Sequence, residues 1–231
     1  MTEASTPMQH PALIRYPMQA AFGRVLPKSK VYEHSGANAR LKELFVRQVE
    51  QIIWAYKLAP ETLHLPARPG VPEIQVLSLQ LKALELHRDV LRCIDGAIPF
   101  PIIFELAFDG RVRVIAAYKR PSEADASRWV LSDYFATEWL PADCQRANMP
   151  VALYIGGLYE KLLSGLIPLP ARPEESLTDL VARMEQVAGK RRDLDKAAAL
   201  LTKEGQFNRK VEINAKLRRL NDEILGLIIN S

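Results

Sequence analysis

The chain has few cysteines and no long apolar run. Cys93 and Cys144 are the only two cysteines among 231 residues, and no secretory signal pattern precedes them, so we expect a reduced, cytoplasmic setting. The most apolar stretch, residues 151–169, is interrupted by Gly156, Gly157, Glu160, Lys161 and Pro168. This stretch is too polar to cross a bilayer, so we expect no membrane association.

The sequence also lacks the common signatures of catalysis. It has no glycine-rich phosphate loop, no His/Cys cluster at metal-ligand spacing and no nucleophile elbow. His34, His64 and His87 lie far apart, and isolated histidines are more often surface or satisfied residues than catalytic ones. We therefore predict no catalytic residue, no metal and no cofactor.

Charge is nearly balanced over the chain. Its 31 basic and 27 acidic residues give a net charge of +4, below the density of a histone-like protein but compatible with a local basic patch. With 48% hydrophobic and 25% charged residues, the composition is that of a folded globular protein. The length allows one domain plus an appendage.

Residue periodicity predicts where the first helix lies. Residues 1–10 are small and polar and predict a flexible terminus, and the following residues up to Ser35 are interrupted by prolines and predict irregular structure. Apolar residues spaced three and four apart from Leu41 to Tyr56 predict one helix, capped by Ser35 or Asn38. Pro60 should end it, and the proline-rich residues 60–72 predict a loop.

The centre of the chain alternates between strand and helix patterns. Residues 73–82 predict a strand, Leu86 to Ile98 predict a helix, and residues 102–108 and 112–118 predict a hairpin closed by Asp109-Gly110. A further strand is predicted around residues 131–140 and a helix around residues 151–166. Together these elements predict an α+β domain over residues 11–170, with a small, mostly antiparallel sheet covered by helices.

A helical tail is predicted after three linker prolines. Ser176 with Asp179 three residues later is typical of a helix N-terminus. The apolar register of this helix fails at Gly205, so the tail either turns back there or continues as one long helix with a stutter. We favour a coiled-coil-like helical hairpin over residues 174–231, with Asn208 capping its second helix.

The apolar faces of the tail predict a protein interface, because the stripe is wider than two facing helices need. The molecule that binds this interface is either another protein or a second copy of the chain. A second copy would make a self-assembling dimeric scaffold. The predicted interface residues are Leu177, Leu180, Met184, Leu194, Leu201, Phe207, Val211, Leu217, Leu220 and Ile224.

Basic residues are concentrated in the same tail. Residues 190–219 contain ten Lys or Arg against four Asp or Glu, and this excess of six could neutralise several phosphates of double-stranded DNA. The alternative is a solvated helix face held by ion pairs. Phe207 is the only aromatic residue there, which argues against stacking on single strands. The candidate nucleic-acid-binding residues of the tail are Lys190, Arg191, Arg192, Arg209, Lys210, Arg218 and Arg219.

A second basic group is predicted in the α+β domain and comprises Lys28, Lys57, Lys119 and Arg120. Lys57, at the end of the first predicted helix, and Lys119, at the end of the hairpin, would project into a shared groove and contact phosphate. Alternatively, Lys57 complements the negative end of the helix dipole.

An enzyme, specifically a metal-dependent nuclease, is the alternative to a non-catalytic binding protein. Restriction-type nucleases hold magnesium between a carboxylate on one strand and an acidic-x-Lys triplet on the next. Glu73, Glu105 and Lys119 are the strand-located candidates. Neither Glu105-Leu106-Ala107 nor Ala117-Tyr118-Lys119 has the required pairing, so such an enzyme would be degenerate or unrecognised.

Several strings, taken in order, carry a family resemblance: Pro27-Lys28 with Tyr32-Glu33, residues 53–63 (IWAYKLAPETL), Glu73-Ile74-Gln75-Val76, Ile94-Asp95 with Ala97-Ile98-Pro99, Ala117-Tyr118-Lys119-Arg120, and residues 206–212 (QFNRKVE). From about Phe22 to its end, the chain resembles the bacterial and archaeal family named domain of unknown function 4391. The resemblance implies genes for DNA-translocating helicases and type III-like restriction methyltransferases nearby, and hence a restriction-modification or phage-defence system.

We therefore predict a non-catalytic accessory subunit. Its C-terminal helices would dock a helicase or DNA methyltransferase, and the basic residues would contact double-stranded DNA without sequence preference. The nuclease and the dimeric scaffold are the two alternatives.

Overall fold

The structure is a computed structural model that describes residues 9–67, 71–122, 124–125 and 128–229. The chain divides into two compact units, Met1–Leu166 and Ile167–Ser231. The first unit contains β1 (Gln9–Arg15), a 3-10 turn (Met18–Ala20), β2 (Ala21–Val25), α1 (Lys28–Ser35), α2 (Ala39–Gln48), β3 (Val49–Leu58), α3 (Pro60–Leu63), β4 (Ile74–Leu81), α4 (Arg88–Ala97), β5 (Ile102–Phe108), β6 (Arg111–Pro121), β7 (Trp129–Ala136), β8 (Leu140–Pro141), β9 (Gln145–Asn148) and α5 (Ile155–Ser164). The second contains α6 (Leu177–Lys203) and α7 (Phe207–Ile229).

Within the described residues, the main sheet has seven strands and is mostly antiparallel, as predicted. The strand order is β2-β3-β4-β5-β6-β7, with β8 also paired to β6. β4 and β5 form its parallel pair, because α4 connects them as a crossover helix. Asp109 and Gly110, both with positive φ, form the predicted two-residue turn between β5 and β6. β1 and β9 pair separately as a two-stranded parallel ribbon.

Helices cover one face of this sheet. Phe45 of α2 and Ile94 of α4 belong to the same buried cluster as Leu77, Leu79 and Phe104 of the sheet. Asn38 caps α2 by accepting a hydrogen bond from the Leu41 amide at 2.9 Å. On the opposite face of β5, Glu105 accepts hydrogen bonds from Arg146 of β9. The ribbon is thereby joined to the sheet.

The predicted helix from Leu41 to Tyr56 is wrong in its second half. The chain is helical only as far as Gln48, and Val49–Leu58 is strand β3. Val49 and Ile52 continue the helical spacing, but this segment is rich in β-branched and aromatic residues, and it hydrogen-bonds to both β2 and β4. Pairing on two sides outweighs a local periodicity that suits either structure.

Several other boundaries also differ from the prediction. Gln9 and His10 belong to β1, although they were predicted to be flexible, and residues 1–8 lie outside the described residues. The segment predicted as irregular contains β1, β2 and α1, and the predicted loop contains α3 before residues 68–70, which lie outside the described residues. β7 ends at Ala136, and α5 begins at Ile155, later than predicted.

The second unit is the predicted helical hairpin. Ser176 caps α6 through its hydroxyl, which accepts from the Asp179 amide at 3.2 Å. Arg183 of α6 donates to the Leu227 carbonyl at 3.0 Å, and Lys190 pairs with Glu223, so α6 and α7 run antiparallel. Gly205 lies in the turn, but Asn208 is not the cap of α7, because that helix already begins at Phe207. Among the described residues, no helix is both long and apolar enough to cross a membrane.

Candidate interaction surface and buried charge network

Most of the predicted interface residues are buried or half-buried in the folded chain. Leu177, Leu180, Leu220 and Ile224 are buried, and Met184, Leu194, Leu201 and Leu217 are half-buried. Residues 213, 217, 220 and 224 recur at four and three along α7, the spacing of a seam between two packed helices. Only two of the ten predicted interface residues, Phe207 and Val211, are exposed.

The tip of the hairpin carries an exposed apolar pair flanked by basic residues. Phe207, at the start of α7, is 78% exposed, and Leu200, in the last turn of α6, is 53% exposed. Lys203 and Lys210 are exposed in the same two helical turns. We call these four residues the tip patch. Residues 206–212, one of the strings that carry the family resemblance, are all exposed, so core packing does not account for them.

A second exposed set lies along α7, opposite its seam with α6. Val211, Leu225 and Ile229 are 52%, 50% and 66% exposed, and Ala215, Arg218 and Asp222 are exposed at the same spacing between them. At 100° per residue, these six positions fall within about 40° of one line along the helix. We call them the outer face of α7. Sequence reasoning missed Leu200, Leu225 and Ile229 as exposed apolar residues. Their positions outside the apolar spacing of the seam could have identified them.

The basic residues of the tail separate into paired and unpaired groups. Lys190 pairs with Glu223, and Arg209 lies 3.7 Å from Glu204. The others are exposed and lack an acidic group within 4.0 Å among the described residues: Arg191, Arg192, Lys210, Arg218 and Arg219. Lys190 and Arg209 thus fit the interpretation of a helix face held by ion pairs, and phosphate binding stays a prediction for the other five residues.

The structure does not form the predicted groove between Lys57 and Lys119. Lys57 lies in β3, not at a helix end, and its ammonium group is 2.6 Å from Glu61 and 3.4 Å from Glu73. Hydrogen bonding to Glu61 raises the pKa of Lys57. Lys119 lies in β6, three strand spacings away or roughly 14 Å between backbones. Lys28 donates to the Val49 carbonyl at 2.5 Å, and Arg120 lies beside Pro121.

Lys119 is the centre of a buried charge network and is only 2% exposed. Its ammonium group donates to the carbonyl oxygens of Asp95 and Ile98 at 2.5 Å and lies 3.9 Å from the Asp95 carboxylate. The Tyr134 hydroxyl donates to the other Asp95 oxygen at 2.5 Å. A cation here complements the negative C-terminus of α4. Burial excludes Lys119 from phosphate contact, so that interpretation is corrected.

Burial dominates the electrostatics of this network. Burial raises the pKa of Asp95 to about 6, against the smaller opposing effects of the Tyr134 hydrogen bond and the Lys119 charge. Burial also lowers the pKa of Lys119 and raises that of Tyr134. The Lys119 ammonium group and the Asp95 carboxylate each have direct hydrogen-bonding partners, as buried charges require. The network joins α4 to β6 and β7.

Tyr159 of α5 completes the attachment of β6. The ladder between β5 and β6 ends at the Ile103–Ala116 pair, so β6 continues beyond its pairing with β5, and two of its backbone groups there bond to a side chain. The Tyr159 hydroxyl accepts from the Lys119 amide at 2.8 Å and donates to the Ala117 carbonyl at 2.9 Å. The hydroxyl thus satisfies both groups inside the domain.

The carboxylates considered for a nuclease are each engaged by a cation. Arg146 binds Glu105 through two nitrogens, at 2.8 Å each, and Glu73 contacts Lys57 and accepts from Gln75 at 2.8 Å. Over the ranges that the structure describes, no three His, Cys, Asp or Glu side chains are grouped to hold a metal ion.

The architecture defines the class of protein: an α+β domain built on a seven-stranded sheet of the described residues, followed by an antiparallel helical hairpin. The sequence profile of the family described as domain of unknown function (DUF4391) matches residues 14–224, and the chain belongs to that family. Comparisons with curated proteins and with solved structures gave no significant match. Two of the resemblance strings meet in the buried network, one through Asp95 and the other through Lys119.

Proposed function

We propose that the protein is a non-catalytic accessory subunit of a DNA restriction-modification or phage-defence system. In this proposal the hairpin docks a helicase or DNA methyltransferase, the partners that the family resemblance implies. The observation that carries it is the tip patch, an exposed phenylalanine and leucine with exposed basic residues in the same helical turns of the hairpin.

The chemistry of the tip patch suits a protein partner. A large aromatic side chain that is 78% exposed loses unfavourable contact with water when a partner covers it. Aromatic anchors surrounded by polar residues are typical of the residues that dominate binding energy. Lys203 and Lys210 favour an acidic rim on the partner's pocket.

Contact with duplex DNA is the second part of the proposal. The exposed arginines 191, 192 and 219 support binding to phosphates, and nothing in their arrangement suggests base readout. Among the described residues, Cys93 and Cys144 are not joined in a disulfide bond, which supports the cytoplasmic setting that we propose.

Co-purification with candidate partners tests the proposal. The chain would be co-expressed with a helicase and with a methyltransferase of the kinds that the family resemblance implies, and a Phe207→Asp variant would be compared with wild type. Val151→Asp is the matched control, because Val151 is 84% exposed in the first unit. We expect one partner to co-purify with wild type and the control but not with Phe207→Asp. Recovery of neither partner with wild type would contradict the proposal.

A further inference from the structure

The outer face of α7 is complementary to itself. Consider two copies of α7 that lie antiparallel, with a two-fold axis at the level of residue 220. Each residue of one copy then faces the residue of the second copy that is equally far from position 220 on the other side. Val211 then faces Ile229, Ala215 faces Leu225, and Arg218 faces Asp222. Every apolar position meets an apolar one, and the basic position meets the acidic one. We propose that the chain forms a symmetric dimer through this face.

The spacing supports an antiparallel pairing in particular. The six positions recur at four and three, so they alternate between the two core positions of a heptad. In the register above, each position of one kind faces the other kind on the second copy, as an antiparallel helix pair requires. A symmetric dimer uses one self-complementary patch on both subunits, so each pair of contacts occurs twice.

The charged pair provides the specificity. Arg218 and Asp222 are exposed and one turn apart, but they form no ion pair within 4.0 Å in the described chain. Arg preceding Asp by four residues is the less favourable order for a pair within one helix. Across the dimer axis, each Arg218 meets the partner's Asp222, which fixes both direction and register.

The dimer leaves the tip patch accessible. Val211 and Ile229 form the outermost pair of this register, and Phe207 lies four residues before Val211, about one helical turn outside the paired positions. The two tip patches are therefore at opposite ends of the paired stripe. This dimerisation is a separate claim from partner docking, and the two depend on different residues.

Charge exchange tests the pairing, with mass measured by sedimentation equilibrium over a concentration series of the full chain. Arg218→Asp and Asp222→Arg each place like charges opposite each other twice, and we expect about tenfold weaker dimerisation or more for either variant alone. A one-to-one mixture of the two variants restores both pairs and should form a heterodimer. The double variant Arg218→Asp/Asp222→Arg should regain the wild-type dimer.

Controls make each outcome decisive. Arg192→Asp, off the outer face, should leave dimerisation unchanged, and circular dichroism should show every variant folded. A monomeric wild type at about 100 μM, a concentration at which even weak specific dimers assemble, would overturn the proposal. So would single variants that remain dimeric, or single variants that dissociate but do not recover on mixing.

Discussion

The ammonium group of Lys119 and the backbone carbonyl of Asp95 are 2.5 Å apart, and this bond ties the C-terminus of α4 to strand β6. The same lysine lies 3.9 Å from the Asp95 carboxylate, with both side chains almost completely buried. The contact explains why a lysine occupies the interior of this sheet: it neutralises a helix end and a carboxylate at one point.

We predict that Asp95 makes stability fall as pH rises. Its folded-state pKa is about 6, above the ordinary 3.8, so between about pH 4 and pH 6 the folded state binds more protons than the unfolded state. The group therefore stabilises the fold at low pH and loses about 3 kcal/mol of that contribution by pH 7. Urea unfolding of wild type and Asp95→Asn, which cannot titrate, checks this across pH 4 to 7. The free energy of unfolding of wild type minus that of Asp95→Asn should fall as pH rises. A difference that stays constant or rises with pH would contradict the prediction.

Removal of the Tyr159 hydroxyl should destabilise the first unit. Tyr159→Phe leaves the Lys119 amide and the Ala117 carbonyl buried without partners, so we expect a loss of about 2 kcal/mol in the free energy of unfolding. Tyr16→Phe is the matched control, because Tyr16 is also buried but its hydroxyl makes no hydrogen bond with the described residues. Chemical denaturation measures both, and equal effects of the two substitutions would rule out the proposed role of Tyr159.

DNA binding, where present, should be electrostatic and independent of sequence. Replacing Arg191, Arg192 and Arg219 with Glu should weaken binding to every duplex alike and flatten the dependence of affinity on salt, because each lost phosphate contact removes about 0.9 from the logarithmic slope. Arg218 is left unchanged because it lies on the outer face of α7. Fluorescence anisotropy at several salt concentrations, with two unrelated duplexes, measures this. Unchanged binding would show that these three arginines do not form the DNA contact.

The purified chain should not cleave nucleic acid in the presence of magnesium or manganese. Glu105 forms an ion pair with Arg146, and Glu73 forms one with Lys57. The two carboxylates are therefore not arranged to bind one metal ion together. Plasmid, linear and single-stranded DNA and RNA should all remain intact on gels. Cleavage that is lost in both Glu73→Ala and Glu105→Ala, with folding retained, would favour the nuclease alternative.

Local signals predicted part of this fold and missed the rest for physical reasons. The Asp109-Gly110 turn, helix α4 and the break at Gly205 were predictable, because each has its own turn, stripe or register signal. Strand β3 was not, because Val49 and Ile52 satisfy helix and strand patterns alike until β2 and β4 pair with it.

The candidate sites show the same limit. Lys119 resembled a surface cation in the sequence, since its burial depends on Asp95 and Tyr134, both distant along the chain. Most of the predicted interface residues are buried or half-buried, because sequence periodicity does not distinguish a seam from an exposed stripe. The interface role of Phe207 stays a prediction, and the sequence pattern did not distinguish it, as an exposed residue, from the buried members of the same stripe.

The affinity of the chain for the helicase or methyltransferase that we propose as its partner tests the central claim most directly. Isothermal titration would compare wild type, Phe207→Asp and the exposed control Val151→Asp, since loss of a central aromatic anchor costs about 2 kcal/mol or more, or at least roughly thirtyfold in Kd. We expect that loss for Phe207→Asp and wild-type affinity for the control. Equal affinity of all three proteins would contradict docking through the hairpin tip.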